Sequence, residues 1–333
     1  MRAELLEKQD RNVPPPYFME TFEHFMRRAL HDPKHGYYAR NISNIGSRGD
    51  FTTAPLLSGM PTKAIAAWAS RELKKHDCSH LIEIGPGTGA LAKSVWRNLP
   101  FFQRLKTRLH LVETSLPLAA HQRSLLGTQP LWHTDLSQAL KQCGGKAVIY
   151  SNELVDAFPV RRFRFTEEGW QELALEKSDH GKLVEKLIPV ARLPESSIFR
   201  QNHPPGQWVE VHESYHLWLK QWLPHWKDGS LLTIDYGATA ENLYHRRPYG
   251  SVRAYLLQHR LEGPAIYDNI GRQDLTADVN FTDLIEWSSP WLGESRLLSF
   301  REFLQPFTAK NDALLADEQG VGEAFRVLIQ QRQ

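Results

Sequence analysis

Leu81-Ile82-Glu83-Ile84-Gly85-Pro86-Gly87-Thr88-Gly89 is a short apolar run that ends in alternate glycines, and Leu91, Val95 and Trp96 behind it open a helix face. A strand that turns through glycine into a helix is the ligand-side unit of an open α/β sheet. Residues without a Cβ let the chain turn tightly and let a ligand approach the backbone. Working outward, Leu109 to Glu113 reads as a second strand followed by a helix near 116 to 126. Ala147 to Tyr150 and Leu231 to Asp235 read as two more, each apolar enough to be covered on both faces as parallel strands are. The alternation predicts an α/β, doubly wound, mostly parallel sheet, closed by a last strand over Ala324 to Ile329.

Upstream of this rhythm, Pro14-Pro15-Pro16 is followed by Phe18, Phe22, Phe25, Met26, Ala29 and Leu30, whose spacing predicts a helix over 18–30 that stops at Asp32-Pro33. A second helical pattern covers 57–75. Residues 161–228 break the core rhythm with segments such as Arg161 to Phe165 and the stripe Tyr215, Trp218, Leu219, Trp222, and read as an inserted subdomain. The run 240–280 is too long for a bare connector, and loops of that length are usually functional or disordered. The expected division is 1–75 as an N-terminal helical cap with a covering loop, 76–160 and 229–333 as the core, and 161–228 as the insertion, which shapes an acceptor or partner site.

Composition narrows the function classes. Lys and Arg total 40 against 38 Asp and Glu, a net charge of +2 over 333 residues, too balanced for a chain whose affinity comes from phosphate neutralisation. No nucleic acid is expected as a partner, and without a long apolar run no membrane is either. Two cysteines, Cys78 and Cys143, make neither a disulfide framework nor a Cys-rich zinc site. With Glu4, Glu7 and Asp10 near the N-terminus, they predict a reducing, cytoplasmic setting. No combination of His, Cys and acids has metal-site spacing, so no metal is expected. The tryptophans at 208, 218, 222 and 226 are read as packing.

The glycine loop leaves two ligand classes open by spacing alone. Gly85, Gly87 and Ala90 fit the dinucleotide fingerprint of a nicotinamide-dependent dehydrogenase, and Glu113 at the end of the next strand serves ribose hydroxyls in either case. Glu83, placed to hold a cationic amino group, and the third glycine at Gly89 favour S-adenosylmethionine.

The motifs as a set resemble those of the class I S-adenosylmethionine-dependent methyltransferases of the MidA type, a family that includes a mitochondrial arginine methyltransferase needed for complex I assembly. The resemblance takes in Gly36-Tyr37-Tyr38, Gly49 to Pro55, Glu83 to Gly89, His110 to Glu113, Trp132-His133, Asn152-Glu153 with Asp156 to Val160, Asp235-Tyr236-Gly237, Arg253-Ala254-Tyr255 and Asp274 to Phe281. It implies a seven-stranded class I core, S-adenosylmethionine as cofactor, and a protein substrate methylated on arginine; the sequence itself leaves open whether the chain forms a homodimer. It also implies that Gly85, Gly87 and Gly89 line the methionine moiety, that Glu113 binds the ribose, and that Gly49, Asp50 and Thr53 lie on a loop closing over the cofactor. Asp135 stands one place beyond the family's acid after Trp132-His133 and is the cofactor-side candidate there.

Asn152, Glu153 and Asp156 follow the third core strand, at the carboxyl end of the sheet where ligands bind, and are the catalytic candidates. Carboxylates there can grip a guanidinium in bidentate fashion and take its proton. The competing reading for Glu153, Asp156 and Asp235 is helix capping. At the level of function, the rival is a non-enzymatic assembly factor that binds S-adenosylmethionine for stability or regulation.

Overall fold

A computed structural model describes residues 19–40, 59–257, 259–307 and 324–333. Gly49, Asp50 and Thr53 lie outside the described residues, as do the tripled proline and the acids of the first ten positions. The central sheet is formed by β1 (His80–Ile84), β2 (Arg108–Val112), β3 (Leu131–His133), β4 (Val148–Asn152), β5 (Ser230–Ala238), β6 (Leu292–Ser299) and β7 (Phe325–Arg332). Their order is β3-β2-β1-β4-β5-β7-β6. The first five run parallel, and β7 runs antiparallel to both its neighbours. An eighth, two-residue strand, Val279–Asn280, pairs with the end of β5. The strand order reverses between β1 and β4, the switch point at which open α/β sheets leave a crevice beyond the strand ends.

Both faces of the sheet are covered, as its unbroken apolar strands require. On one side lie the helix Gly59–Lys75, whose Ile65, Trp68 and Leu73 are buried, the helix Ala90–Asn98 with Leu91, Val95 and Trp96, and the aromatic pair Phe300 and Phe303. On the other side Leu136 and Leu140 pack with Trp222, Trp226 and Trp287. Three of the four clustered tryptophans are core: Trp208, Trp222 and Trp226 are buried, and the Trp226 indole donates to the Ala147 carbonyl at 3.0 Å. Trp218 is only partly covered and faces the cavity described below.

The insertion forms a second, antiparallel sheet from Arg161–Thr166, Gly169–Lys177, Leu183–Pro189 and Trp208–Val211. Met19–Thr21 adds a further strand along Gly169–Lys177, which corrects the helix expected to begin at residue 18. The helix begins at Phe22, where the Thr21 hydroxyl accepts the His24 amide hydrogen, and it ends at Asp32 ahead of Pro33. Phe22, Phe25 and Met26 then pack on Leu173 and Leu175, so the N-terminal segment and the insertion share one apolar cluster. The run 240–280 is folded: Arg253–Leu256, His259–Leu261 and Asp274–Thr276 make a third small antiparallel sheet. Among the described residues no helix is long and apolar enough to cross a membrane.

Candidate active site

A cavity of about 1460 Å³ opens at the carboxyl ends of β1, β2 and β4. It is lined by the glycine loop, by the turn after β4, and by side chains from the central sheet, the small third sheet, the N-terminal helix and the helix Glu213–Trp222. Of the residues singled out from sequence, it brings together Glu83, Gly85, Gly87, Glu113, Asp135, Asn152, Glu153 and Asp156.

The loop takes its path from its glycines. Gly85, Gly87 and Gly89 all have positive φ, and the Gly85 amide donates to the Val112 carbonyl at 3.0 Å, tying the turn to β2. Their roles differ. A Cβ on Gly87 would meet nothing within 4 Å and would stand in the open cavity, whereas one on Gly85 would lie 2.8 Å from Leu154 Cδ1. Gly89 does not line the cavity, in contrast to its expected role. It is the left-handed N-cap of Ala90–Asn98, and its missing Cβ leaves room for Gln122, 3.1 Å from where that atom would be.

Gln122 is the residue that sequence reasoning passed over. It is fully buried, donates to the Gly87 carbonyl (2.8 Å) and to Glu113 Oε2 (3.0 Å), and accepts from the Trp132 indole (3.1 Å). The backbone amide of Ser115 reaches Glu113 Oε1 at 2.8 Å. Each Glu113 oxygen is thus fixed by one donor and keeps acceptor capacity toward the cavity. Burial raises the Glu113 carboxyl, and these hydrogen bonds oppose the rise. The signal for Gln122 lay in its position, a polar residue on the stripe Leu118, Ala119, Gln122 that the helix Leu116–Leu126 buries.

Glu83 points from β1 under the loop and accepts from the Tyr150 hydroxyl at 2.7 Å, while burial pushes its carboxyl up to about 8. Asp135 is the N-cap of Leu136–Gln142, with Oδ1 taking the Ser137 and Gln138 amides at 2.7 and 3.3 Å.

Beyond β4 the chain turns sharply and Glu153 adopts a left-handed conformation, φ 50°. Asp235 on β5 holds the turn, its Oδ2 accepting the amides of Leu154, Val155 and Asp156 at 3.1, 2.8 and 3.4 Å. No helix follows β4, so none of Glu153, Asp156 and Asp235 caps one there; Asp235 ties down the turn, and Glu153 and Asp156 line the cavity. Enclosure by protein, with Asp156 nearby, pushes Glu153 up to about 8. Burial likewise pushes Asp156 up to about 6 against the pull of Arg253. Asn152 Nδ2 donates to Glu153 Oε1 at 3.2 Å, and its buried Oδ1 has no hydrogen-bond partner among the described residues.

Aromatic rings complete the wall: Tyr38, Trp218, Tyr236 and Tyr255. Arg253 is buried behind two of them, its guanidinium carbon 5.3 and 5.9 Å from the Tyr236 and Tyr255 ring centres, and it is paired with Asp278. Tyr38, Tyr236, Tyr255 and Asp274, another lining residue, all lie in the quoted motifs. Only the fold shows that these motifs meet.

An open cradle at Gly87, a two-oxygen acceptor at Glu113 and an unpaired amide oxygen at Asn152 suit a ligand carrying a ribose and an amino acid group. The sequence profile of the family described as "Putative S-adenosyl-L-methionine-dependent methyltransferase" matches residues 64–293. The chain belongs to this family. Its cofactor is S-adenosylmethionine, and its sheet is that of the class I methyltransferases. A Burkholderia thailandensis protein solved with S-adenosyl-homocysteine superposes with a TM-score of 0.81 at 25% identity, over 94% of this chain and 88% of that one. The protein arginine methyltransferase NDUFAF7 homolog, mitochondrial, of Drosophila melanogaster is 27% identical over 296 residues, 77% of this chain and 64% of the relative. The Xenopus laevis protein arginine methyltransferase NDUFAF7, mitochondrial, is 28% identical over 296 residues, 78% of this chain and 64% of its own. The chain thus spans somewhat under two thirds of these relatives' length. Their names overturn the cytoplasmic expectation, because these relatives are mitochondrial.

Proposed function

We propose that this methyltransferase acts on the guanidinium of an arginine in a protein partner. The observation that carries the proposal is the placement of Glu153 and Asp156 in one aromatic-walled cavity with the glycine loop. The names of the curated relatives support the same acceptor.

In this reading Glu113 holds the ribose hydroxyls, Glu83 and the backbone around Gly85 and Gly87 hold the methionine end, and Asp135 borders the adenine. Bound S-adenosylmethionine supplies an electrophilic methyl group on a sulfonium. The acceptor's difficulty is charge, since a guanidinium keeps its proton at any ordinary pH and is repelled by a second cation. Carboxylates at Glu153 and Asp156 offset that repulsion and grip the planar fork in bidentate fashion. An entering cation also favours their ionised forms, against the enclosure that raises both groups. The Asn152 amide fixes the Glu153 oxygen it donates to, and Tyr38, Tyr236 and Tyr255 offer ring faces to the delocalised cation. One carboxylate takes the guanidinium proton as the nitrogen is alkylated, with the rings keeping water out.

The test is incubation of the full chain with methyl-labelled S-adenosylmethionine and arginine-containing protein, followed by acid hydrolysis and amino-acid analysis. The expected result is label in methylarginine, with kcat lowered about a hundredfold or more in Glu153→Gln and in Asp156→Asn while cofactor affinity is kept. Label in another amino acid would overturn the choice of acceptor. Tight cofactor binding without transfer to any protein would favour the assembly-factor reading.

A further inference from the structure

The geometry points to a metal site of the zinc class at His80, His110 and Cys143, outside the lining of the active-site cavity. In the parallel register of β1 and β2, Ile82 stands opposite His110, and the face carrying Ile82, Ile84 and Val112 is covered by the helix Leu136–Gln142. Cys143 is that helix's C-cap, so its thiol arrives over the same strands. His80 Nδ1 lies 3.0 Å from His110 Nε2, and Cys143 Sγ lies 3.6 Å from the same nitrogen. The three ligand atoms are all within 4.8 Å of one another. His110 and Cys143 are buried, while His80 is partly exposed at the start of β1 and gives a way in.

Hydrogen bonding alone does not account for this convergence. A neutral His110 Nε2 offers either one lone pair or one proton, and two partners approach it, so one of the two contacts goes without a well-formed bond. A cation placed between the three satisfies all of them. Tetrahedral zinc, with bonds of about 2.0–2.1 Å to nitrogen and about 2.3 Å to sulfur, spaces such ligands roughly 3.3–3.6 Å apart. The observed 3.0 and 3.6 Å need only small side-chain adjustment. The next shell is in place as well. His110 Nδ1 lies 3.0 Å from His133 Nε2, a partner to which Nδ1–H can donate when His110 Nε2 ligates. Cys78, the other thiol, is turned to backbone groups at His80 and Lys146 and stands outside the set. Two neutral imidazoles and one thiolate suit zinc, with a fourth position left for water. Binding releases the Cys143 thiol proton, one per ion, and cross-links β1, β2 and the helix end.

The experiment uses the full chain, stripped with a chelator and titrated with Co²⁺ and then Zn²⁺. The expected result is uptake of one equivalent of Co²⁺ with a thiolate-to-cobalt charge-transfer absorption that Zn²⁺ displaces. Cys143→Ser loses the absorption and Cys78→Ser keeps it, each with an unchanged circular dichroism spectrum. His133→Asn weakens metal binding about tenfold to a hundredfold by removing the second-shell partner. If the stripped, folded wild type takes up no metal, or if the absorption survives in Cys143→Ser, the assignment is wrong.

Discussion

At the scale of the residue, the two halves of the cavity are built by different means. The cofactor half depends on a hidden polar link, since Gln122 ties Glu113 to the Gly87 carbonyl. Gln122→Ala frees that carboxylate, and loss of a charge-assisted hydrogen bond predicts S-adenosylmethionine binding about tenfold to a hundredfold weaker. Calorimetry on a variant with wild-type thermal stability checks this. The half proposed for the acceptor depends on enclosed acids, and their ionisation works against the fold. The Glu153 pKa rises from 4.5 when solvated to about 8 in the native cavity. Its stabilising contribution is therefore present at low pH and is lost as pH climbs through that interval, at about 1.4 kcal/mol per unit. Glu153→Gln should consequently hold its melting temperature better than wild type between pH 5 and pH 8. A variant that loses ground as pH rises would show that Glu153 is ionised and stabilised in the empty site. Sequence reading named Asn152, Glu153 and Asp156 and left capping as an equal alternative. The turn that carries them is held by Asp235 through the amides of Leu154, Val155 and Asp156, a contact that spans about 80 residues and leaves no local trace.

At the scale of the element, strands buried on both faces were the most legible. The helix Leu116–Leu126 falls on its expected span, and β4 and β5 were found short of their ends. Extending β4 to Asn152 matters because it puts the candidate amide on the rim of the sheet. Met19–Thr21 was read as helix because Phe18 and Phe22 are spaced by one turn, while the pairing that makes it a strand is supplied by Gly169–Lys177. The run 240–280 could not be read because its strands have two to four residues and pair with one another or, at Val279–Asn280, with the end of β5. The grouping of His80, His110 and Cys143 was likewise invisible, since they are separated by some thirty residues each and are brought together by two neighbouring strands and a helix end. The glycines separate fold from function at this scale. A Cβ at Gly237, φ +149°, would lie 2.0 Å from the Val279 carbonyl oxygen where Val279–Asn280 pairs with β5, so Gly237→Ala should unfold or badly destabilise the chain. Gly87→Ala places its methyl in open cavity and adds only left-handed strain of about 1–2 kcal/mol. It should therefore fold and lose cofactor binding. Thermal melts alongside calorimetry distinguish the two, and equal melting temperatures for both variants would refute the assignment.

At the scale of the whole molecule, one cavity is assembled from two sheets and the helices beside them. The central sheet contributes the glycine loop, Glu113, Asn152 and Tyr236, and the small sheet from the run 253–276 contributes Tyr255 and Asp274. The helix Glu213–Trp222, which follows the inserted sheet, contributes Trp218. In the proposed reading, cofactor and acceptor meet near the switch point between β1 and β4. The account stands on that cavity holding S-adenosylmethionine through Glu113. Calorimetric titration of the full chain with S-adenosylmethionine and S-adenosyl-homocysteine, repeated with Glu113→Ala, tests it most directly. One site per chain with micromolar affinity, lost in Glu113→Ala at unchanged fold, is the predicted result. No binding of either ligand by the folded wild type, or equal binding by the variant, would contradict it.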